Sequence, residues 1–138
     1  MTDIIGEAPL WCTARKGHHG VVQLLLRRED VDPNMANKYG QTALSWAAER
    51  GHFGAVQLLL GPEDVDPNIL DNYGRTPLSW AAARGNDEVV QLLLAQEDVN
   101  PDIPEVNGRT PFWWASSTLN EGAVNLLQAR QSANPNAV

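Results

Sequence analysis

Apolar and small residues recur along this chain with the spacing of short amphipathic helices. After Thr42, the residues Leu44, Ala47 and Ala48 occupy positions i, i+3 and i+4, which lie on one face of a helix. Thr42 is placed to cap this helix at its start, and Gly51 is placed to end it after about two turns. The pattern predicts a short helix with an alanine surface that lets a neighbouring helix approach closely.

A second and more apolar helix is predicted to begin near His52 and to end before Gly61. Val56 and Leu59 belong to its apolar stripe, and a helix this apolar must be buried on most sides. The residues from Gly61 to Tyr73 include two prolines and have no helical period, so they predict a long loop or β-turn finger. Both helices are too short to be stable alone, and their stability must come from packing on the next pair.

This unit of helix, turn, helix and finger repeats every 34 residues, as the spacing of Gly6, Gly40, Gly74 and Gly108 shows. A fixed period of this length indicates a stacked solenoid, in which no unit buries its apolar face by itself. We therefore expect an all-α fold of four stacked units that form a single domain. The expected units lie at about residues 6–39, 40–73, 74–107 and 108–138 of the domain 1–138.

The third unit resembles the ankyrin repeat. The matching positions are Gly74, Thr76, Pro77, Leu78, Ala81, Ala82, Gly85, Val90, Leu93, Leu94, Asp98 and Val99. The resemblance implies a solenoid of helix–turn–helix units joined by β-turn fingers, with a partner bound on the concave face of finger tips and first helices. The Ser-Trp-Ala-Ala phrase is also similar to fungal-type ankyrin arrays. Many of those are the ligand-sensing ends of large nucleotide-dependent receptor proteins.

Five tryptophans depart from the family pattern. Trp46, Trp80 and Trp114 stand where the family buries a leucine, and we expect them in the core between the two helices of each unit. Trp11 and Trp113 replace a serine in a column nearer the inner surface. An exposed interface anchor and packing within an end repeat are both consistent with these two positions.

Charge is unevenly distributed over the unit, on a chain whose net charge is −7 and whose pI is near 4.8. The acidic balance argues against nucleic acid as a partner, because phosphate binding needs a basic surface. Eleven acids lie in the loops: Glu29, Asp30, Asp32, Glu63, Asp64, Asp66, Asp71, Glu97, Asp98, Asp102 and Glu105. Seven basic residues lie on first helices or finger tips: Arg15, Lys16, Lys38, Arg50, Arg75, Arg84 and Arg109. These cations would either form solvated helix ends that suit the helix dipole, or steer an acidic partner into the groove.

No constellation for catalysis or metal binding stands out. His18 and His52 occupy the family's Gly-His position, where the imidazole is expected to cap the turn between helices, and His19 has no ligand set beside it. Cys12 is expected to be a small buried apolar residue. Phosphate loops, paired catalytic carboxylates and nucleophile elbows are absent from the sequence. We therefore expect no enzyme activity, no cofactor and no metal.

Cysteine usage and hydropathy bear on location. A single cysteine excludes an internal disulfide framework and suits a reducing compartment. The sequence has no secretory signal and no long apolar run, so a cytoplasmic or nuclear protein without a membrane span is expected. Leu119 replaces a glycine and Gln128 replaces a leucine in the last unit, so the ends are at best partial caps, and a fragment and a short family member are both consistent with them.

The favoured hypothesis is a non-catalytic scaffold that binds another protein, one with an acidic segment, and that is monomeric unless its end repeats stack. The alternative is a structural spacer or self-associating segment excised from a larger, receptor-like multidomain protein. The candidate contact residues are Lys38, Tyr39, Gln41, Glu49, Arg50, Tyr73, Arg75, Ala83, Arg84, Arg109 and Trp113.

Overall fold

Short helices follow one another in pairs in the computed structural model, which describes residues 9–133 of the chain. The helices are α1 Pro9–Lys16, α2 His19–Leu26, α3 Ala43–Arg50, α4 Phe53–Leu59, α5 Pro77–Arg84, α6 Asp87–Leu94, α7 Pro111–Ser117 and α8 Glu121–Ala133. No strand occurs within residues 9–133. The predicted all-α solenoid is confirmed.

The helices form two layers. Each first helix (α1, α3, α5, α7) packs on the next first helix, and each second helix (α2, α4, α6, α8) packs on the next second helix. Ala47, Ala48, Ala81 and Ala82 are fully buried, because methyl side chains allow the first helices to approach closely. The second layer contributes larger buried side chains, such as Leu59 and its equivalent in the next pair. The apolar core therefore runs continuously along the stack.

Helix starts and stops follow the sequence signals. Thr42 Oγ1 accepts a hydrogen bond from the Ser45 N–H at 3.2 Å. Thr76 and Ser79 form a reciprocal pair, in which Thr76 Oγ1 accepts from Ser79 N–H at 3.1 Å and Ser79 Oγ accepts from Thr76 N–H at 2.9 Å. Gly51 ends α3 in the left-handed region at φ +72°. The predicted caps are confirmed.

The residue after the helix-ending position joins each of the three later pairs to the pair before it. His52 Nε2 lies 2.9 Å from the Arg15 carbonyl oxygen, and Asn86 Nδ2 donates to the Ala48 carbonyl at 2.9 Å. Asn120 makes the equivalent bond one pair later. These side chains satisfy carbonyls that a helix end leaves without a partner. His52 is structural, as predicted, but the predicted cap is wrong: its imidazole makes no cap hydrogen bond at its own helix start and reaches back to the preceding pair instead.

The repeated Asp-Pro-Asn phrase connects the bases of successive fingers. Asp66 Oδ1 accepts from the Asn68 N–H at 2.9 Å, which fixes the turn. Asn68 then spans to the next finger, where its Nδ2 donates to the Asp98 carbonyl at 2.6 Å and its Oδ1 accepts from the Asn100 N–H at 2.9 Å. The phrase is therefore a structural joint between repeats.

The first pair answers the question left open about Trp11 and corrects the expectation for Cys12. Trp11 is only 1% exposed, so it packs within the end repeat and is not a surface anchor. Cys12 is half-buried against the core, less enclosed than predicted. Across the described part of the chain, no helix has the length and apolar character needed to cross a membrane.

Candidate interaction surface

The finger tips and the first helices share one surface, which we call the groove face. It consists of α1, α3, α5 and α7 together with the finger-tip residues 37–41, 71–75 and 105–109. Two clefts open on it. One of about 380 Å³ is lined by Arg15, Asn37, Tyr39, Gln41, Trp46, Tyr73 and Arg75. The other, of about 240 Å³, is lined by Arg75, Ser79, Trp80, Ala83, Arg84, Trp114 and Thr118.

Each finger tip is a tight turn organised by the side chain at its base. Asp71 Oδ1 accepts from the N–H groups of Tyr73 and Arg75, both at 2.9 Å. The Asp71 N–H donates to the Arg75 carbonyl at 3.0 Å, and Gly74 has a φ of +81°, which favours glycine. This turn holds the Tyr73 side chain outward, with 57% of its surface exposed.

The tryptophan column lies on the groove face, and the prediction that it belongs to the core is wrong. Trp46, Trp80 and Trp114 are half-buried and line the two clefts. Their neighbours Ala47 and Ala81 are fully buried where successive first helices touch. That close contact leaves no room for an indole, so the rings lie at the groove, where Trp46 also packs against the core.

Arginine side chains cover the aromatic rings. The Arg75 Cζ atom lies 4.1 Å from the centroid of Trp80 and 4.8 Å from that of Tyr73. Arg109 lies 5.0 Å from the centroids of both Trp113 and Trp114, which pack edge to face. A guanidinium over an aromatic face is attracted by the ring quadrupole. These stacks order the arginines and form the walls of the clefts.

Three of the groove cations are paired with carboxylates. Arg75 Nε lies 2.9 Å from Asp71 Oδ2, and Arg109 Nε lies 3.2 Å from Glu105 Oε1. Arg84 of α5 reaches the Glu49 carboxylate of α3 at 3.0 Å.

Asp71 and Glu105 were counted among the loop acids, away from the groove, and that assignment is wrong. Their side chains are only 1% and 4% exposed and fold under the finger tips beside the arginines. A carboxylate in this place satisfies the N–H groups of the turn and balances the neighbouring guanidinium. The positive charge that would steer an acidic partner into the groove is therefore balanced at Arg75, Arg84 and Arg109.

Several influences set the pKa of Glu105. Burial has the largest effect and raises the pKa, but hydrogen bonds from the Arg109 N–H, the Arg109 guanidinium and the Asn107 N–H, together with the positive charge of Arg109, outweigh it. The result is a pKa below the ordinary value of 4.5 for this carboxyl. Glu105 is therefore ionised when it holds the third finger tip.

The indole N–H groups differ from repeat to repeat. Trp80 Nε1 donates to Asp71 Oδ2 at 3.3 Å. Within the described residues, the buried Nε1 atoms of Trp46 and Trp114 have no hydrogen-bond partner. Asn37 and Glu105 occupy the position of Asp71 in those repeats, and neither offers an acceptor to the indole.

A family comparison agrees with this architecture. The family model for ankyrin repeats (three copies) matches residues 1–71 and 53–138. The chain belongs to the ankyrin-repeat family. Ankyrin repeats generally serve as protein–protein interaction modules and are typically non-catalytic. No curated protein matches the chain.

The ankyrin geometry brings the predicted contact residues onto one surface. Lys38 lies over the Tyr39 ring at 5.2 Å, and Arg50 lies over Trp46 at 5.7 Å. Trp113 is 42% exposed at the far end of the row. Gln41, Tyr73, Arg75, Ala83 and Arg84 line a cleft. Glu49 pairs with Arg84, and Arg109 lies over Trp114, which lines a cleft.

Sequence reasoning missed part of this ankyrin surface. Trp46, Trp80 and Trp114 were placed in the core, and Thr118 was not singled out. The sequence signal that could have pointed to this surface is the position at the base of each finger tip. Asn37 and its equivalents occupy this position, which recurs every 34 residues. Among residues 9–133, no cluster of three or more histidine, cysteine or acidic side chains could hold a metal ion.

Proposed function

We propose that this ankyrin-repeat chain is a non-catalytic interaction module that binds another protein on its groove face. The observation that carries the proposal is the row of exposed aromatic and cationic side chains above two clefts on a rigid double layer of helices. Tyr39 and Tyr73 are 52% and 57% exposed on adjacent finger tips. Tyrosines held outward by ordered turns provide large contact areas at low entropic cost.

The finger tips are linked to one another, which makes the row a single surface. Asn72 N–H donates to the Tyr39 carbonyl, and Val106 N–H donates to the Tyr73 carbonyl, both at 2.9 Å. Asn72 Nδ2 also donates to the Lys38 carbonyl at 2.8 Å. A partner would therefore meet a preorganised surface, and preorganisation reduces the entropy lost on binding.

The partner proposed here is an extended protein segment that carries acidic residues. Exposed cations such as Lys38 and Arg50 would attract it electrostatically, and acidic groups elsewhere on this chain of net charge −7 would repel it. Association should slow as salt rises, because charges are screened beyond about 8 Å at physiological ionic strength. A cytoplasmic or nuclear location is proposed with it.

The test compares two surfaces of the intact chain by quantitative pull-down from the source cells. One variant combines Tyr39→Ala with Tyr73→Ala on the groove face. The control combines Glu63→Lys, Asp64→Lys and Asp98→Lys, whose side chains are exposed on the loops. Proteins bound by the wild type should be lost on the tyrosine variant and kept on the loop variant, with both variants melting near the wild type. Loss on the loop variant and retention on the tyrosine variant would assign the site to the loops.

A second candidate function is self-association, and the last helix pair favours it. Phe112 and Trp113 are 37% and 42% exposed, whereas Leu78 and Ser79, their equivalents in the preceding pair, are 1% and 3% exposed. A second copy stacked on α7 would cover these rings in a heterologous contact that is open to continued growth. Sedimentation over a concentration range checks this: a mass that stays monomeric leaves only the groove-face function.

A further inference from the structure

The cations of the groove face divide into two groups along the stack. In the later repeats, Arg75, Arg84 and Arg109 each have a carboxylate oxygen within 3.2 Å. Their charges are balanced within the protein. An anionic partner gains little from a guanidinium whose carboxylate is already in place.

The earlier repeats lack these carboxylates. Lys38 and Arg50 are exposed, and within the described residues neither has a carboxylate oxygen within 4.0 Å. Both stand over aromatic rings, Lys38 over Tyr39 and Arg50 over Trp46. Their positive charges are held at fixed places but are not neutralised.

The 34-residue register gives the reason. The finger base that is Asp71 in the second finger and Glu105 in the third is the uncharged Asn37 in the first. The position that is Glu49 in α3 is Arg15 in α1, so a cation stands where the next step of the stack has the anion. The Arg15 Cζ atom lies 5.4 Å from the centroid of Trp46, the same ring that Arg50 covers.

The third step of the stack, from α5 to α7, has neither the acidic nor the basic residue of the ion pair. Ala83 and Thr118 occupy the positions that are Glu49 and Arg84 one repeat earlier, and both line the cleft between Trp80 and Trp114. At these two positions, successive steps of the groove face therefore change from Arg15 and Arg50, to Glu49 and Arg84, to Ala83 and Thr118. This gradient has one direction, and it is built into the fold.

We propose that the groove face orients its partner, with carboxylate side chains of an extended protein segment bound at the Trp46 end beside Lys38 and Arg50. The uncharged part of that segment lies over the Trp80 end. Lys38 and Arg50 lie over Tyr39 and Trp46, two of the rings that line the 380 Å³ cleft, and a guanidinium fork matches the two oxygens of a carboxylate. This proposal rests on the proposed function and adds the place and chemistry of the charged contact.

A defined probe tests the site without knowledge of the natural partner. The intact, ¹⁵N-labelled chain is titrated at low salt with acetyl-tetraglutamate amide, and the tryptophan indole N–H signals are followed by NMR. Each signal is assigned from a single Trp→Phe variant. The Trp46 indole should shift most, the Trp80 and Trp114 indoles should shift less, and acetyl-tetraglutamine amide should shift none of them.

A matched pair of charge variants then locates the contact. Arg50→Gln with Lys38→Gln should weaken tetraglutamate binding about fivefold, because two exposed charge contacts contribute roughly 1 kcal/mol together. Arg84→Gln with Arg109→Gln removes the same number of charges from paired positions and should weaken it less than twofold. Equal losses in the two variants, or largest shifts at Trp80 and Trp114, would overturn the proposal.

Two further results would also overturn it. If inorganic phosphate shifts Trp46 at lower concentration than tetraglutamate does, the site prefers phosphate to carboxylate. If tetraglutamate shifts no indole at low salt, there is no carboxylate site. The groove-face function is judged separately by the Tyr39→Ala and Tyr73→Ala variant, so partner binding that this variant abolishes would keep the function while the orientation proposal fails.

Discussion

Trp46 and Trp80 stand at the same place in consecutive repeats, yet their indole nitrogens have different surroundings. Trp80 Nε1 donates to the buried Asp71 carboxylate, and Trp46 Nε1 is buried with no partner in the described chain. Both rings are half-buried and each has two guanidiniums over it. The two residues therefore separate the effect of a hydrogen bond from that of an aromatic ring.

Replacing each tryptophan by phenylalanine measures that difference. Trp80→Phe should lower the free energy of unfolding by about 1 kcal/mol more than Trp46→Phe, because only the former removes a made hydrogen bond, whereas the latter removes an unsatisfied donor. Urea denaturation of both variants checks the difference. Equal losses would mean that the indole bond to Asp71 contributes nothing to stability.

Leu119 carries a local strain that the other repeats avoid. Its φ is +60°, and the equivalent residues Gly17, Gly51 and Gly85 have φ of +76°, +72° and +72°. The left-handed conformation costs a residue with a Cβ atom roughly 1–2 kcal/mol. The Leu119 side chain is 84% exposed, so little burial offsets that cost.

Leu119→Gly should therefore stabilise the protein by about 0.5–1 kcal/mol, after the larger entropy of glycine in the unfolded chain is subtracted. The reciprocal change Gly85→Leu should destabilise it by on the order of 2 kcal/mol or more. A Cβ at residue 85 would also lie only 2.7 Å from Asn120 Oδ1. Thermal melts of both variants test this pair, and a Leu119→Gly protein that melts below the wild type contradicts the strain argument.

At the scale of the element, the third finger tip depends on the carboxylate of one residue, Glu105. Glu105 Oε1 accepts from the Asn107 N–H, the Arg109 N–H and the Arg109 guanidinium at 2.8, 3.1 and 3.2 Å. Protonation would remove the charge that these bonds stabilise. The third finger should therefore respond to acid as a unit.

The pH dependence follows from the lowered pKa of Glu105. Because the folded pKa lies below the ordinary 4.5, the ionised carboxylate stabilises the fold above that pH, and this stability is lost as the pH falls through the folded value. Denaturation of the wild type and of Glu105→Gln, measured between neutral pH and about pH 3, should show a smaller pH-dependent loss in the variant. Parallel pH profiles for the two proteins would show that Glu105 does not contribute.

At the scale of the whole molecule, stability is distributed along the stack because each pair contacts only its neighbours. The pair α3–α4 packs between two others, whereas α7 packs on α5 and on its own partner α8. Up to residue 130, the last pair also has fewer fully buried apolar residues than the central pairs. In such a quasi-one-dimensional molecule, an end unit opens more easily than a central one.

Hydrogen exchange should reveal this gradient. Amides of α7 and α8 should open with a free energy lower by on the order of 2 kcal/mol than those of α3 to α6. Mass spectrometry of the intact chain at neutral pH gives the comparison. Equal protection of α3 to α6 and of α7 and α8 would indicate a single cooperative unit instead.

The sequence by itself determined the repeat, the helices and the kind of surface. Threonine caps, helix-ending glycines and a 34-residue period act locally, so they could be read without knowing what packs against what. Lys38, Tyr39 and Arg50 were placed on the correct elements for the same reason, since the register of a repeat assigns equivalent residues to equivalent positions.

Tertiary structure decided which side chains are buried and which charges are not neutralised by a neighbouring side chain. Periodicity puts Trp80 next to the alanine face but does not say that two helices in contact exclude an indole from it. It puts Glu49 and Arg84 on successive first helices but does not say that their side chains meet at 3.0 Å. Burial and ion pairing depend on distances between repeats, and those distances are set only when the whole stack packs.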